Sequence, residues 1–265
     1  MQIDRDLVDR LESTGARLNA LAAEALVAGG AAGAAPPRPW GAGALIAFGP
    51  GRYVNRLCGL GTAEVDVTAA TQIEDFFAAS GVPPTIEVTP WASESLRQLL
   101  RTRCYTPVAF RNVYVRAAHR FADRRAGAAV TIEPVSIENL EQWLAVMSQA
   151  TGSLGDAARA TSDEYCRARF AIPTGRNFVA QIDGTPVGCA SVETEGGVAW
   201  LGGMATVPDH RGRGVQAALI RHRVDLVASE GVEIIASSAV PDGASARNLL
   251  RHDFQLAYSR VDVTR

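Results

Sequence analysis

The run Ser95-Leu96-Arg97-Gln98-Leu99-Leu100-Arg101 returns 150 residues later as Ser245-Ala246-Arg247-Asn248-Leu249-Leu250-Arg251. Five of the seven positions are identical. Each copy follows a glycine and a strand-like run and precedes another such run. Self-similarity of this kind predicts two related halves within the 265 residues. Apolar residues make up 47% of the chain and charged residues 20%, enough to give each half its own core. The charged, small-residue stretch at 122–128 reads as a linker. The predicted domains are therefore residues 1–122 and 128–265.

Local patterns predict mixed strands and helices in both halves. Residues 4–28 place Leu7, Leu11, Leu18, Leu21 and Ala25 at helical spacing. Residues 29–43, rich in Gly, Ala and Pro, read as a loop. Strands are predicted at 43–48, 85–89 and 108–115, with helices at 71–80 and 93–103. The second half restarts with a strand at 130–134. A helix with Leu140, Trp143, Leu144 and Met147 on one face follows. Strands at 178–182 and 187–193 are joined by Asp183-Gly184, a strong hairpin signal. A strand at 198–207, a helix from 215 to 229, a strand at 233–237, a short helix from 245 and a strand ending near 263 complete the pattern. The predicted class is α/β, or α+β, with a central mixed sheet flanked by helices in each half.

Charge and composition exclude several functions. Formal net charge is −2, without the basic balance that general nucleic-acid binding needs. All 26 basic residues are arginine, so the chain has no lysine of its own to modify. The four cysteines, Cys58, Cys104, Cys166 and Cys189, show no CxxC spacing, and the four histidines are scattered. Neither a metal site nor a disulfide framework is expected. No basic leader with an apolar run opens the sequence, and no stretch has spanning length. The expected setting is cytoplasmic, without a membrane partner, and a homodimer is compatible with the sequence.

The chemistry concentrates in Gly203-Met204-Ala205-Thr206-Val207-Pro208-Asp209-His210-Arg211-Gly212-Arg213-Gly214-Val215-Gln216-Ala217. An apolar strand ends at Pro208, a turn with two glycines and two arginines follows, and a helix begins near Val215. The first turn of a helix offers unpaired N–H groups and the positive end of a dipole. Gly212 and Gly214 lack a Cβ and admit an anion close to the backbone. Arg211 and Arg213 add positive charge. Together they form a pyrophosphate cradle. It is not a Walker loop, because the Lys and the Ser/Thr are missing. A dinucleotide fingerprint is a weaker rival: Ala217 suits it, but no acid closes a strand about 20 residues on.

This segment resembles the acyl-CoA-binding motif of the GNAT superfamily of N-acetyltransferases, Arg/Gln-x-x-Gly-x-Gly/Ala. Here it reads Arg211-Gly212-Arg213-Gly214-Val215-Gln216, departing at the last position. The resemblance covers residues 128–265 and includes the order of elements. It implies two strands splaying at the end of the 198–207 strand. Backbone groups of Met204, Ala205 and Val207 would pair with the pantetheine arm. Amides of Gly212, Arg213, Gly214, Val215, Gln216 and Ala217 would hold the pyrophosphate. An N–H near Met204 would polarise the thioester carbonyl, and Asn248 would face the pantetheine. The implied cosubstrate is acetyl-CoA, without a metal. The implied reaction is direct attack on the thioester by a primary amine of a small molecule.

Such a transfer needs a base for the incoming ammonium and an acid for the leaving thiolate. Glu193, with Glu195 beside it, is the candidate base; a solvated hairpin pair is the plain alternative. Many family members place a tyrosine acid four residues before the last Phe of the segment, but Leu250 stands there. Asp253 likewise replaces the usual Gly. Tyr258 is the substitute candidate, and a core tyrosine is the alternative. Cys189 reads as a buried thiol, His222 as packing, and His210 as a candidate phosphate contact.

In the first half, Cys58-Gly59-Leu60-Gly61-Thr62-Ala63-Glu64-Val65-Asp66 stands where a cradle would fall. Glu64 and Asp66 replace the arginines, and carboxylates there repel a pyrophosphate. The first half is therefore expected to be a degenerate GNAT-like domain. An acyl-CoA-binding regulatory module without catalysis remains the alternative function, and a nucleotide-binding protein using the same loop is a third.

Overall fold

The computed structural model describes residues 1–122, 130–152 and 155–265. Most of the linker predicted at 122–128 lies outside the described residues. Two compact units emerge: Met1–Val113 with Ala257–Arg265, and Tyr114–Leu256. The division thus differs from the one drawn at 122–128: the chain enters the second unit at Tyr114, within β5 (Thr106–Ala117), and its last strand belongs to the first unit.

The first unit opens with helix α1 (Arg5–Ala28). Asp4 caps it, its side chain accepting the Leu7 N–H at 3.0 Å. Leu7, Leu11 and Leu18 form its buried face. Strands β1 (Ala35–Trp40), β2 (Gly43–Ala47) and β3 (Asn55–Cys58) follow as an antiparallel set. Strand β1 lies in the stretch read as a loop. Its three prolines lack N–H donors, which an edge strand tolerates. Then come α2 (Ala70–Ala79), β4 (Thr85–Val88), α3 (Glu94–Thr102) and β5 (Thr106–Ala117). Strand β4 pairs parallel to β3, and antiparallel to the chain's last strand, β11 (Gln255–Thr264). Leu45, Leu57, Ile73, Phe77, Ile86 and Leu99 make the core of this unit.

The second unit holds β6 (Val130–Val135), α4 (Leu140–Thr151), α5 (Asp156–Phe170), β7 (Gly175–Ile182), β8 (Thr185–Glu195), β9 (Val198–Thr206), α6 (Val215–Ser229), β10 (Ile234–Ala239) and α7 (Ala244–Leu250). Helix α5 has no counterpart in the sequence reading. The hairpin between β7 and β8 turns at Asp183 (φ 51°) and Gly184 (φ 75°), the two positive φ angles of a type I′ turn. Strands β6 to β9 are successively antiparallel, and β10 runs parallel to β9. In both units two antiparallel pairings lead into a parallel one (β1-β2-β3-β4 and β7-β8-β9-β10).

The repeated heptapeptide lies on α3 and α7, and the two helices end alike. Each gives way to a left-handed residue, Cys104 (φ 56°) or Asp253 (φ 63°). The next N–H then reaches back five residues, Tyr105 to Leu100 at 3.0 Å and Phe254 to Leu249 at 3.2 Å. Aspartate is among the few residues that accept this backbone, which explains its place before Phe254.

Candidate active site

The parting of two strands creates the site. Strand β10 follows β9 in register from Val198↔Ile234 to Leu201↔Ser237, and the pairing ends there. From Gly202 to Thr206, β9 remains paired to β8 on its other side, through a register shift between Cys189 and Ser191. Two residues of β9 therefore bulge, and Gly203 has φ +53°. A Cβ on Gly203 would stand 2.5 Å from Ser191 Oγ and 2.9 Å from Trp143 Cζ2, so only glycine fits.

Beyond β9 a short 3-10 turn, Pro208–His210, leads into the arginine-glycine loop. Gly212 (φ +75°) and Gly214 (φ +80°) are left-handed, with open space where each Cβ would be. Gly214 is the residue before α6, and no side chain caps the helix. Its first-turn amides are thus free for an anion. Arg211 is anchored by Ala150 O at 3.1 Å, and Arg213 by His210 Nδ1 at 3.1 Å.

A cavity of about 680 Å³ joins these parts. Among the residues expected at the cofactor, Met204, Ala205, Arg211, Gly212, Gly214, Val215, Gln216 and Asn248 line it. Val207, Arg213 and Ala217 are not in its wall, although they share the same turn and helix start; His210 is. Gln216, the departure from the motif, accepts a hydrogen bond from Asn248 Nδ2 and donates to Ser245 Oγ at 3.4 Å. It ties α6 to α7 across the cavity floor. Asn248 Oδ1 also accepts from Arg251 at 3.0 Å.

Neither proton-transfer candidate is among the residues that line the cavity. Glu193 is 4% exposed and held by Arg169 of α5, whose Nε donates to Oε1 at 2.8 Å and whose NH2 donates to Oε2. Burial raises the Glu193 pKa, and Arg169 counters it. Both carboxylate oxygens of Glu193 thus accept from one guanidinium, and Glu193 is not among the residues lining the cavity. Tyr258 falls in the first unit, where its hydroxyl donates to Glu12 Oε1. Burial, then the Glu12 charge, pushes its pKa up. Leu250 is exposed, and Cys189 is fully buried, its thiol pushed up by burial. His222 packs edge-on against Phe178.

Three contacts around the site carry no sequence signal: Trp143 with Gly203, Arg169 with Glu193, and Arg223 of α6 with Gly202 of β9. Each joins different elements. Among the described residues no cluster of three or more His, Cys, Asp or Glu could hold a metal ion.

Residues 139–254 match the model of the Acetyltransferase (GNAT) family. They span α4, α5, the parted strands and the arginine-glycine loop. Residues 139–254, within the second unit, carry a GNAT acetyltransferase domain. It provides for acyl-CoA-dependent N-acetyl transfer in general. A GCN5-related N-acetyltransferase from Kribbella flavida is similar in fold, with 20% identity, a TM-score of 0.60, and 80% of this chain and 82% of that one covered. A tandem GNAT protein from the clavulanic acid biosynthesis pathway covers 84% of this chain and 73% of its own, at 16% identity and a TM-score of 0.57. A functionally unknown conserved protein from Staphylococcus epidermidis matches 74% of this chain and 77% of its own, at 14% identity and a TM-score of 0.57. No curated protein sequence matches the chain. Among the described residues no helix is long and apolar enough to cross a membrane.

In the first unit the loop corresponding to the cradle is filled from within. Asp9 of α1 accepts the Thr62 N–H at 2.8 Å and the Thr62 hydroxyl at 2.9 Å. A Cβ on Gly61 would lie 2.1 Å from Asp9 Oδ1. Ser95 donates to Glu64 and accepts the Val65 N–H at 2.8 Å. Asp66 caps the turn that precedes α2, accepting the Thr68 N–H.

Proposed function

We propose that the GNAT domain transfers acetyl from acetyl-CoA to a primary amine of a small molecule by direct attack. The observation that carries this reading is the single cavity wall shared by the uncapped start of α6 and the stretch of β9 past Leu201 that is open on its β10 side. Amides after Gly212 hold the pyrophosphate. The free edge at Met204 and Ala205 pairs with the pantetheine arm, and Asn248 faces it. The acetyl carbonyl meets the bulge, where an N–H near Met204 accepts the developing negative charge. The attacking amine arrives as the free base, since Glu193 and Tyr258 are both engaged, and the thiol leaves without a dedicated acid. The first unit binds no acyl-CoA, because Asp9 occupies the amide that a phosphate would take.

Gly214→Glu tests the cradle. The new side chain brings a carboxylate to a left-handed position in front of the α6 amides. Titration with acetyl-CoA should show a loss of affinity of at least a hundredfold; parent-like affinity removes the cradle from the reading. A second reading, an acyl-CoA-binding module without turnover, draws support from neither Glu193 nor Tyr258 being among the residues that line the cavity. Release of CoA from acetyl-CoA across a panel of small amines separates the two: accelerated release with any amine excludes the module.

A further inference from the structure

Arg223, in the middle of α6, is fully buried. A guanidinium out of water is costly unless its donors are met, and such an arginine is normally paired with a carboxylate. Among the described residues no carboxylate pairs with Arg223. Its partners are backbone oxygens instead: Ser191 O at 2.7 Å, Gly202 O at 3.2 Å and Leu219 O at 3.0 Å. NH2 also lies 3.0 Å from Met204 Sδ. One cation thus links β8, α6 and the bulge of β9, and touches the side chain that lines the cavity.

The peptide unit is planar and trans, so an N–H points opposite to the C=O of the same unit. With Gly202 O on Arg223, the Gly203 N–H is turned away from the guanidinium. The next unit is fixed in the same way: Gly203 O accepts from Cys189 Sγ at 3.7 Å, which turns the Met204 N–H away from that thiol. Arg223 and Cys189 are both fully buried, outside the cavity. A cation on Gly202 O also draws electron density along the amide and makes its N–H a better donor.

We infer that Arg223 is a positioning residue for acetyl transfer, which orients and polarises the bulge peptides of β9 so that they bind the thioester oxygen as it becomes an oxyanion. The inference rests on the proposed placement of the acetyl group at the bulge. Burial weakens the hold of Arg223 on its proton, down to a pKa of about 9, which still leaves it a cation at neutral pH. Nothing in this role requires Arg223 to touch the cosubstrate.

The test reads the thioester carbonyl directly. Acetyl-CoA labelled with ¹³C at the carbonyl is bound to the full chain, and its infrared stretch is compared with that in solution. Polarisation at the bulge moves the band to lower frequency in the parent. Arg223→Met should lose at least half of that shift and slow CoA release with the best amine at least tenfold. CoA itself, which has no acetyl carbonyl, should bind within threefold of the parent. An unchanged band and rate in a folded Arg223→Met protein overturns the inference alone, whatever its melting temperature. A parallel fall in CoA affinity and rate overturns it too, since that marks a merely structural role. If the parent shows no shift, the placement of the acetyl group is wrong and the inference falls with it. Should Arg223→Met not fold, Arg223→Gln carries the same readings, because its neutral amide takes the charge off Gly202 O. Parent-like values there overturn the inference.

Discussion

Glu12 is a buried carboxylate of the first unit whose surroundings shift its hold on a proton. It is 2% exposed, accepts from the Tyr258 hydroxyl, and pairs with Arg260 at 2.9 Å. Arg260 also reaches Glu87 at 3.3 Å, and Arg56 links Glu87 at 3.4 Å to Asp262 at 2.9 Å. Burial is the main cause that raises the Glu12 pKa from 4.5 to about 7; the Glu87 charge adds to it, while Arg260 and Tyr258 oppose it. A carboxyl with a raised folded pKa binds its proton more tightly when folded. Its contribution to stability is therefore greatest at low pH and is lost as pH climbs from about 4.5 to about 7. Glu12→Gln keeps an oxygen for Tyr258 and cannot titrate. The melting temperature of Glu12→Gln minus that of the parent should become more positive between pH 5 and pH 8. A difference that stays flat over that range would mean Glu12 is ionised throughout.

At the scale of the element, α5 decides what Glu193 does. The helix carries Arg169, and the buried pair it forms with Glu193 joins α5 to β8. Removing one partner of a buried pair leaves the other charge uncompensated, which costs about 3 kcal/mol. Glu193→Gln should lower unfolding free energy by about that amount in denaturant titrations, while acetyl transfer by the folded fraction stays within about threefold. A large loss of turnover with unchanged stability would restore Glu193 as the base. The sequence does not foretell this pair. Helix α5 (Asp156–Phe170) is mostly polar and buries little beyond Cys166 and Ala168, so it lacks the apolar stripe that betrays α1 and α4. Strand β1 hides for a related reason, its prolines reading as a loop. The arginine-glycine loop is legible because its chemistry is local: left-handed glycines, a helix start and two arginines within four residues, Arg211-Gly212-Arg213-Gly214. What escapes is long-range pairing, Arg169 with Glu193 and Arg223 with the bulge, since no spacing in the chain encodes it.

At the scale of the whole molecule, the chain passes between its two units at both ends of the repeat. The strand after α3 ends in the second unit, and the strand after α7 ends in the first. Tyr114 of β5 is buried in the second unit's core beside Phe178 and Leu249. Arg116 donates to His252 O at 2.9 Å and lies 4.2 Å from the Phe121 ring, closing α7 onto the end of β5. In the other direction β11 brings Tyr258, Arg260 and Asp262 to the carboxylates and arginine of α1, β3 and β4. A fragment beginning at residue 124 therefore loses Tyr114, Arg116 and Phe121 from its own core. It also carries β11 with Arg260 and Asp262 deprived of Glu12, Glu87 and Arg56. Duplication in the sequence suggests two separable domains; the exchanged strands make each depend on residues from the other half. Residues 124–265 expressed alone should show no cooperative thermal transition and no melting shift with acetyl-CoA, whereas the full chain should show both. If the fragment melts cooperatively and is stabilised by acetyl-CoA as the full chain is, the exchanged strands contribute nothing essential, and the two halves are independent after all.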